Sequence, residues 1–232
     1  MAQSNAISVF QGRKEERLNS GISDQISSSA FNAVMCATLF WGFLVNALMI
    51  GFWAEPIYNF LSGISPWVTF GGYFVLSIIG ILLSVKSGKP AISFLGFNLL
   101  VLPIGVMLCL LVPWMPIAIV NKALILTGLV TATMILLGLI RPQLFLGLGR
   151  TLFIALIVGI LAEVLATFVF HYTGAAFDWL FVIIFSAYIG YDIAKAQVYP
   201  KTVDNAIDCA LDLYLDIVYL FIRLLSLLAR ES

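Results

Sequence analysis

The chain has 232 residues and no net charge at pH 7, and 62% of its residues are hydrophobic while only 10% are charged. Soluble domains carry about 25% charged residues, so this composition excludes an ordinary soluble protein. It indicates an integral membrane protein whose first partner is the lipid bilayer. The zero net charge also gives no indication of nucleic-acid binding, because the basic residues lie beside the ends of apolar segments.

The first 29 residues are polar and rich in serine, and they carry Arg13, Lys14 and Arg17. Their length and their polar composition do not match the short, basic start of a cleaved signal peptide. We therefore interpret residues 1–29 as a tail outside the membrane. Since cytoplasmic segments are enriched in Lys and Arg, and most other basic residues fall on the same side, we expect this tail to be cytoplasmic.

Seven apolar segments follow the tail, each close to the length of about 20 residues that spans a bilayer. The sequence "AEP" at 54–56, with the following "LSGISP", is expected to end the first of them. The segments cover 30–53, 66–85, 91–112, 118–140, 151–172, 178–198 and 205–229. The sequence thus predicts an all-α domain over 30–232, a bundle of about seven transmembrane helices.

The side of the membrane that holds the carboxyl terminus is left open by this pattern. Seven full crossings would put Arg230 outside, whereas a last segment that dips in and returns would put it inside.

The last segment carries an aspartate on every helical turn: Asp204, Asp208, Asp212 and Asp216. A step of four residues advances about 400° around a helix, so these side chains share one broad face. We interpret Asp204 and Asp208 as interfacial acids at the positive end of the helix dipole, with Asp208 a secondary site candidate. Asp216 lies about 12 Å beyond Asp208 and so inside the membrane, where an ionisable group faces protein or water.

The preceding segment supplies a companion for Asp216 in "FSAYIGYDIAKAQ". Here Asp192 lies about 10 Å from the cytoplasmic end of its helix, and a short link makes the two helices antiparallel neighbours. Two carboxylates at the same depth in low dielectric cannot easily both ionise, so the pair is expected to share a proton. Asp192 and Asp216 therefore indicate a pH-sensitive cation site.

Purely structural roles for these acids are the alternative. Asp192 has Lys195 at i,i+3 spacing, and Asp216 has Arg223 two turns away. Glu163, near the centre of the fifth segment, is a further candidate, either as a site facing the lumen or as a hydrogen-bonded structural carboxyl.

The stretches "YDIAKAQ" and "DCALDLYLDIVYLFIRLL" resemble the carboxyl-terminal signature of the Bax-inhibitor-like membrane family, also called the transmembrane BAX inhibitor motif family. "NLLVLPIG" and "RPQLFLGLGRTLFIAL" are similar to bacterial members. The resemblance implies seven helices with the last one central, and a calcium-permeable leak controlled by protonation of an aspartate pair. Carried over by motif, that pair and its metal ligands are Asp192 and Asp216, with Asp212 a weaker candidate.

The resemblance further implies a channel rather than an enzyme, with no cofactor and with calcium and protons as its small partners. It favours the bacterial cytoplasmic membrane, and an internal eukaryotic membrane is the alternative. Protein partners are not indicated. In some relatives a basic residue of the second helix latches the pair, but the sequence from Trp67 to Val85 contains none.

Two other functions compete with a leak channel. A proton-coupled transporter of small solutes uses similar buried acids. An intramembrane aspartyl protease also uses two aspartates on consecutive helices and a YD motif, which Tyr191 and Asp192 match. The protease is the weaker alternative, because "LYLD" lacks the glycine of the GxGD motif and nothing like its PAL motif follows.

Overall fold

The computed structural model describes residues 25–172 and 174–230, and in this part of the chain it contains α-helices and no strand. Most of the expected tail, residues 1–24, lies outside the described residues. The helices are α1 (Ser28–Leu48), α2 (Ala54–Ser62), α3 (Pro66–Lys86), α4 (Pro90–Leu111), α5 (Ile117–Ile140), α6 (Pro142–Leu146), α7 (Gly149–Phe168), α8 (Ala175–Val198) and α9 (Val203–Arg230). The all-α prediction is confirmed.

Within the described ranges, six helical stretches are long and apolar enough to cross a membrane: Ser28–Ser62, Pro66–Ser84, Pro90–Trp114, Ile117–Ile140, Gly149–Phe168 and Ala175–Val198. Their outward side chains are large and apolar, for example Phe40, Trp67 and Ile125, which are 67%, 76% and 63% exposed. Soluble proteins rarely expose so much contiguous apolar surface, so these faces suit contact with lipid. Helix α9 has 28 residues but is outside this set, and the seventh span stays a prediction.

The first helical stretch corrects one expected boundary. It does not end at "AEP", because a π-helical segment, Met49–Trp53, joins α1 to α2 and the stretch continues to Ser62. Pro56 is the third residue of α2. A proline in the first helical turn loses no hydrogen bond that a helix would otherwise make, so it can begin a new helical register instead of stopping the helix.

One compact unit consists of the described residues up to Trp114 together with Tyr199–Leu211. Its core is α4, against which α1, α2 and α3 pack. Gly80 on α3 and Gly96 on α4 allow the two backbones to touch, since a Cβ on Gly80 would lie 2.8 Å from the carbonyl oxygen of Gly96. Small residues at such crossings are typical of helix packing in membranes.

The second compact unit consists of Met115–Val198 and the described residues from Asp212 onward. Here α5, α6 and α7 pack on α8, whose buried side chains include Phe181, Ile189 and Ile193. Gln197 at the end of α8 donates to the carbonyl of Gly138 on α5 at 2.9 Å. A Cβ on Gly138 would lie 2.7 Å from the carbonyl oxygen of Gly190, so this glycine lets α5 approach α8 closely.

Helix α9 is buried to an unusual degree for a chain with such an apolar exterior. Every residue from Val203 to Ala229 is buried or half-buried, and only Arg230 is exposed. The helix follows α8 after four residues, and the Thr202 hydroxyl accepts a hydrogen bond from the Asn205 backbone N–H at 3.1 Å, which caps its first turn. Acidic side chains in membrane proteins face protein or water, and this burial places most of the acids of α9 against protein.

Candidate cation site

Three charged side chains of α8 and α9 form the centre of the site. Lys195 Nζ donates to Asp192 Oδ1 at 2.6 Å within α8 and to Asp212 Oδ2 on α9 at 2.7 Å. The Asp192 side chain is 6% exposed, whereas that of Asp212 is 33% exposed. One lysine therefore ties a buried carboxylate on α8 to a more accessible carboxylate on α9.

The structure also brings Asp192 and Asp216 together. Both side chains are buried, and their carboxyl groups lie close enough to interact; Asp192 is 4% exposed and Asp216 is 7% exposed. Two neighbouring carboxylates in a low-dielectric interior repel each other, so such a pair favours holding one proton between its members. Asp192 accepts from Lys195, which compensates its charge. Asp216 Oδ2 has no hydrogen-bond partner among the described residues.

Two tyrosines of α8 surround the carboxyl pair. The Tyr188 ring meets the Tyr191 ring edge-on at 6.4 Å, and Lys195 Nζ lies 5.3 Å from the centroid of the Tyr191 ring. Gly149 makes room for this arrangement, since a Cβ there would lie 2.7 Å from the Tyr191 hydroxyl. The aromatic rings limit water access to the charges and thereby strengthen the ion pairs.

Asp204 and Asp208 lie in the first compact unit, where serine hydroxyl groups bind them. Ser84 Oγ on α3 donates to Asp208 Oδ1 at 2.5 Å, and Ser93 Oγ on α4 donates to Asp204 Oδ1 at 2.6 Å. Asp208 is 2% exposed, so it is a buried, hydrogen-bonded carboxyl. Its place at the membrane interface stays a prediction, and the sequence of α9 alone gives no indication of the serines that α3 and α4 present to it.

Glu163 also lies apart from the aspartate pair. Arg223 binds it through two parallel hydrogen bonds, Nη1 to Oε1 at 2.6 Å and Nη2 to Oε2 at 2.7 Å. Arg223 Nη1 also donates to Asp178 Oδ1 at 3.1 Å. The alternative contact of Asp216 with Arg223 is not present among the described residues, because the guanidinium binds Glu163 and Asp178. Of the two structural alternatives, the structure contains the ion pair of Asp192 with Lys195.

Sequence reasoning missed three participants. For the site, the sequence predicts Lys195 only as a local partner of Asp192, and it predicts no role for Asp178 or Ser84. A lysine one turn after a membrane aspartate was the available signal for Lys195. Asp178 and Ser84 carried no such signal, because their partners lie on helices distant in sequence.

The arrangement of the charged side chains determines whether a metal ion could bind at this site. Within the described residues, no three His, Cys, Asp or Glu side chains are arranged to hold a metal ion. The cluster of Asp192, Asp212 and Asp216 is instead occupied by the Lys195 ammonium, which stands where a cation would be attracted. The oxygens present are of the type that calcium prefers, and in this arrangement Lys195 compensates the charge of Asp192 and Asp212.

A family model described as Bax1-I, Inhibitor of apoptosis-promoting Bax1, matches residues 25–232. The match spans all the helices described above. No curated protein matches the chain significantly.

Proposed function

The chain belongs to the Bax-inhibitor-like family, and from this membership and the buried carboxyl pair we propose that it is a pH-sensitive cation leak channel. Calcium is the permeating ion, and Asp192 and Asp216 are the gate. The observation that carries the proposal is the juxtaposition of these two buried carboxyl groups, at a place where Lys195 compensates the charge of one of them. The protein then needs no enzymatic step and no cofactor.

The closed state is the arrangement with one shared proton. Asp216 donates that proton to Asp192, and Lys195 holds Asp192 and Asp212 together across α8 and α9. These contacts join the same two helices at neighbouring turns. Lys195 thus supplies from α8 the latch that some relatives supply from the second helix.

Opening begins with loss of the shared proton. Two ionised carboxylates that lie side by side repel each other strongly in a low-dielectric interior. Asp216 moves away from Asp192, and the exposed carboxylates attract a hard cation that competes with Lys195 for oxygen ligands. Gate and attracting charge are therefore the same residues.

The direction of the pH response follows from the proton count. The closed pair holds one proton that the open pair lacks, so acid favours closure and rising pH favours opening. With the amino terminus cytoplasmic and α9 as a central seventh span, Asp192 lies toward the cytoplasmic end of α8. The gate then responds to cytoplasmic pH, in a bacterial cytoplasmic membrane or an internal eukaryotic one.

The test is calcium uptake by liposomes that contain the purified protein, compared with empty liposomes between about pH 5 and pH 8. A protein-dependent leak that increases with pH supports the proposal. Calcium flux equal to that of empty liposomes at every pH contradicts it. Proton flux that depends on one organic solute would instead identify the transporter alternative.

A further inference from the structure

A second charged group lies in α7, α8 and α9, apart from the aspartate pair. Besides the contacts of Arg223 with Glu163 and Asp178, Asp178 Oδ2 accepts from Ser226 Oγ at 2.9 Å and lies 3.2 Å from Arg230 Nε. Two carboxylates thus meet two guanidinium groups, and the formal charge of the group is zero.

This group lies on the same face of α9 as the gate. Asp216, Arg223 and Arg230 follow one another at intervals of seven residues. Seven residues advance a helix by about 10 Å and return the side chain to within about 20° of the same direction. One face of α9 therefore carries the gate acid first and then the two arginines.

An aromatic layer separates the two polar groups. Phe185 of α8 stacks on Tyr219 of α9, with ring centroids 5.3 Å apart, and on Phe181, with centroids 6.0 Å apart. The Arg223 guanidinium lies 4.2 Å from the centroid of the Phe181 ring. An apolar constriction between polar regions is a recurring way to control ion passage.

The second group is partly exposed. The side chains of Arg223, Glu163 and Arg230 are 23%, 29% and 42% exposed, while that of Asp178 is 4% exposed. Charged groups within spanning helices face protein or water and avoid lipid. Their partial exposure therefore suits contact with water on the far side of the aromatic layer.

We propose that Arg223, Glu163 and Asp178 form a charge filter at the end of the cation path opposite Asp192 and Asp216. The two carboxylates attract cations to the opening, and Arg223 limits that attraction by neutralising them. This inference rests on the proposed function, since it assigns a role in the same ion path. Calcium flux through a charge filter changes in opposite directions when a positive or a negative charge is removed. A purely structural ion pair instead loses stability when either partner is removed.

The test uses substitutions of opposite sign in liposomes. Arg223→Gln leaves excess negative charge at the opening and is expected to raise calcium flux by roughly three- to tenfold. Glu163→Gln leaves excess positive charge and is expected to lower calcium flux by a similar factor. The double variant has the original net charge, and its flux is expected to lie within about twofold of wild type.

Three further variants serve as controls. Arg223→Lys keeps the charge but loses the two-pronged hydrogen bond, and the filter predicts nearly unchanged selectivity between calcium and chloride. Arg150→Gln and Glu55→Gln make the same changes in net charge at exposed residues outside the group. They are expected to leave the flux close to wild type.

If both single variants change the flux in the same direction, or change only the melting temperature, the filter is wrong and the group is structural. In that case the calcium leak of the wild-type protein remains intact. Absence of any wild-type leak would overturn the proposed function and the filter together. The two failures are therefore distinguished by the wild-type measurement.

Discussion

Lys195 Nζ on α8 lies 2.7 Å from Asp212 Oδ2 on α9, so a lysine and an aspartate tie two consecutive helices together beside the carboxyl pair. The same ammonium group is 2.6 Å from Asp192 Oδ1. Lys195 is thus the basic group that compensates the charge of the proposed gate.

Replacement of Lys195 by methionine is expected to increase the calcium leak. The change removes the tie to Asp212 and leaves Asp192 without its compensating charge, which costs the closed state about 1–3 kcal/mol after allowance for partial exposure. We expect a leak at neutral pH that is roughly five- to a hundredfold larger, measured in liposomes. Lys195→Arg keeps the charge and is expected to stay near wild type.

A matched control for this change is Lys122→Met, which removes an exposed lysine of α5. It is expected to have no effect on the leak. A Lys195→Met leak equal to or smaller than that of wild type would show that Lys195 does not hold the gate closed.

Ser84→Ala is expected to destabilise the protein. The substitution removes the hydroxyl that donates to buried Asp208, and a buried acceptor that loses a partner costs about 1–3 kcal/mol. The measurement is thermal unfolding in detergent. Ser77→Ala on the same helix is the control, because Ser77 Oγ has no partner among the described residues. Equal melting temperatures for the two variants would contradict this role of Ser84.

Gly96→Ala is expected to loosen the contact between α3 and α4. A Cβ at this position would lie 2.6 Å from the carbonyl oxygen of Gly80 and 2.8 Å from the backbone nitrogen of Ser84, so a backbone must shift at a cost of about 1–3 kcal/mol. Gly71→Ala, where a Cβ meets nothing within 4 Å, is expected to stabilise α3 by up to about 1 kcal/mol. Thermal unfolding measures both, and a stable Gly96→Ala protein would refute the close crossing.

The fold class could be predicted from the sequence because apolar runs of sufficient length permit only helices in a bilayer. The continuation of the first helical stretch past "AEP" could not be predicted. A π-helical segment precedes α2, so Pro56 falls in the first turn of α2 and does not end the helical stretch. The sequence shows only where a proline lies. Whether that proline ends the helix depends on which backbone hydrogen bond it would remove.

The proximity of Asp192 and Asp216 could be anticipated because a short link makes α8 and α9 neighbours. The partners of Asp208 and Glu163 could not, because each comes from a helix distant in sequence: Ser84 from α3 and Arg223 from α9. Apolar periodicity predicts which residues form helices but not which helices present their polar side chains to one another.

The pH response is expected to depend on the aspartate pair alone. Asp216→Asn replaces the shared proton with a permanent amide donor that does not titrate, so the gate is fixed in a hydrogen-bonded state. We expect this variant to leak little at every pH between about 5 and 8. The measurement is calcium uptake at several pH values, and an unchanged rise of the leak with pH would contradict the assignment.

The most direct test of the central claim compares calcium flux and its pH dependence in wild type, Asp192→Asn, Asp216→Asn and the double variant, each in liposomes. If the two aspartates act as one gate, either single substitution abolishes the pH dependence and the double adds little, because coupled groups are not additive. If all four proteins keep the same pH response, Asp192 and Asp216 are not the gate.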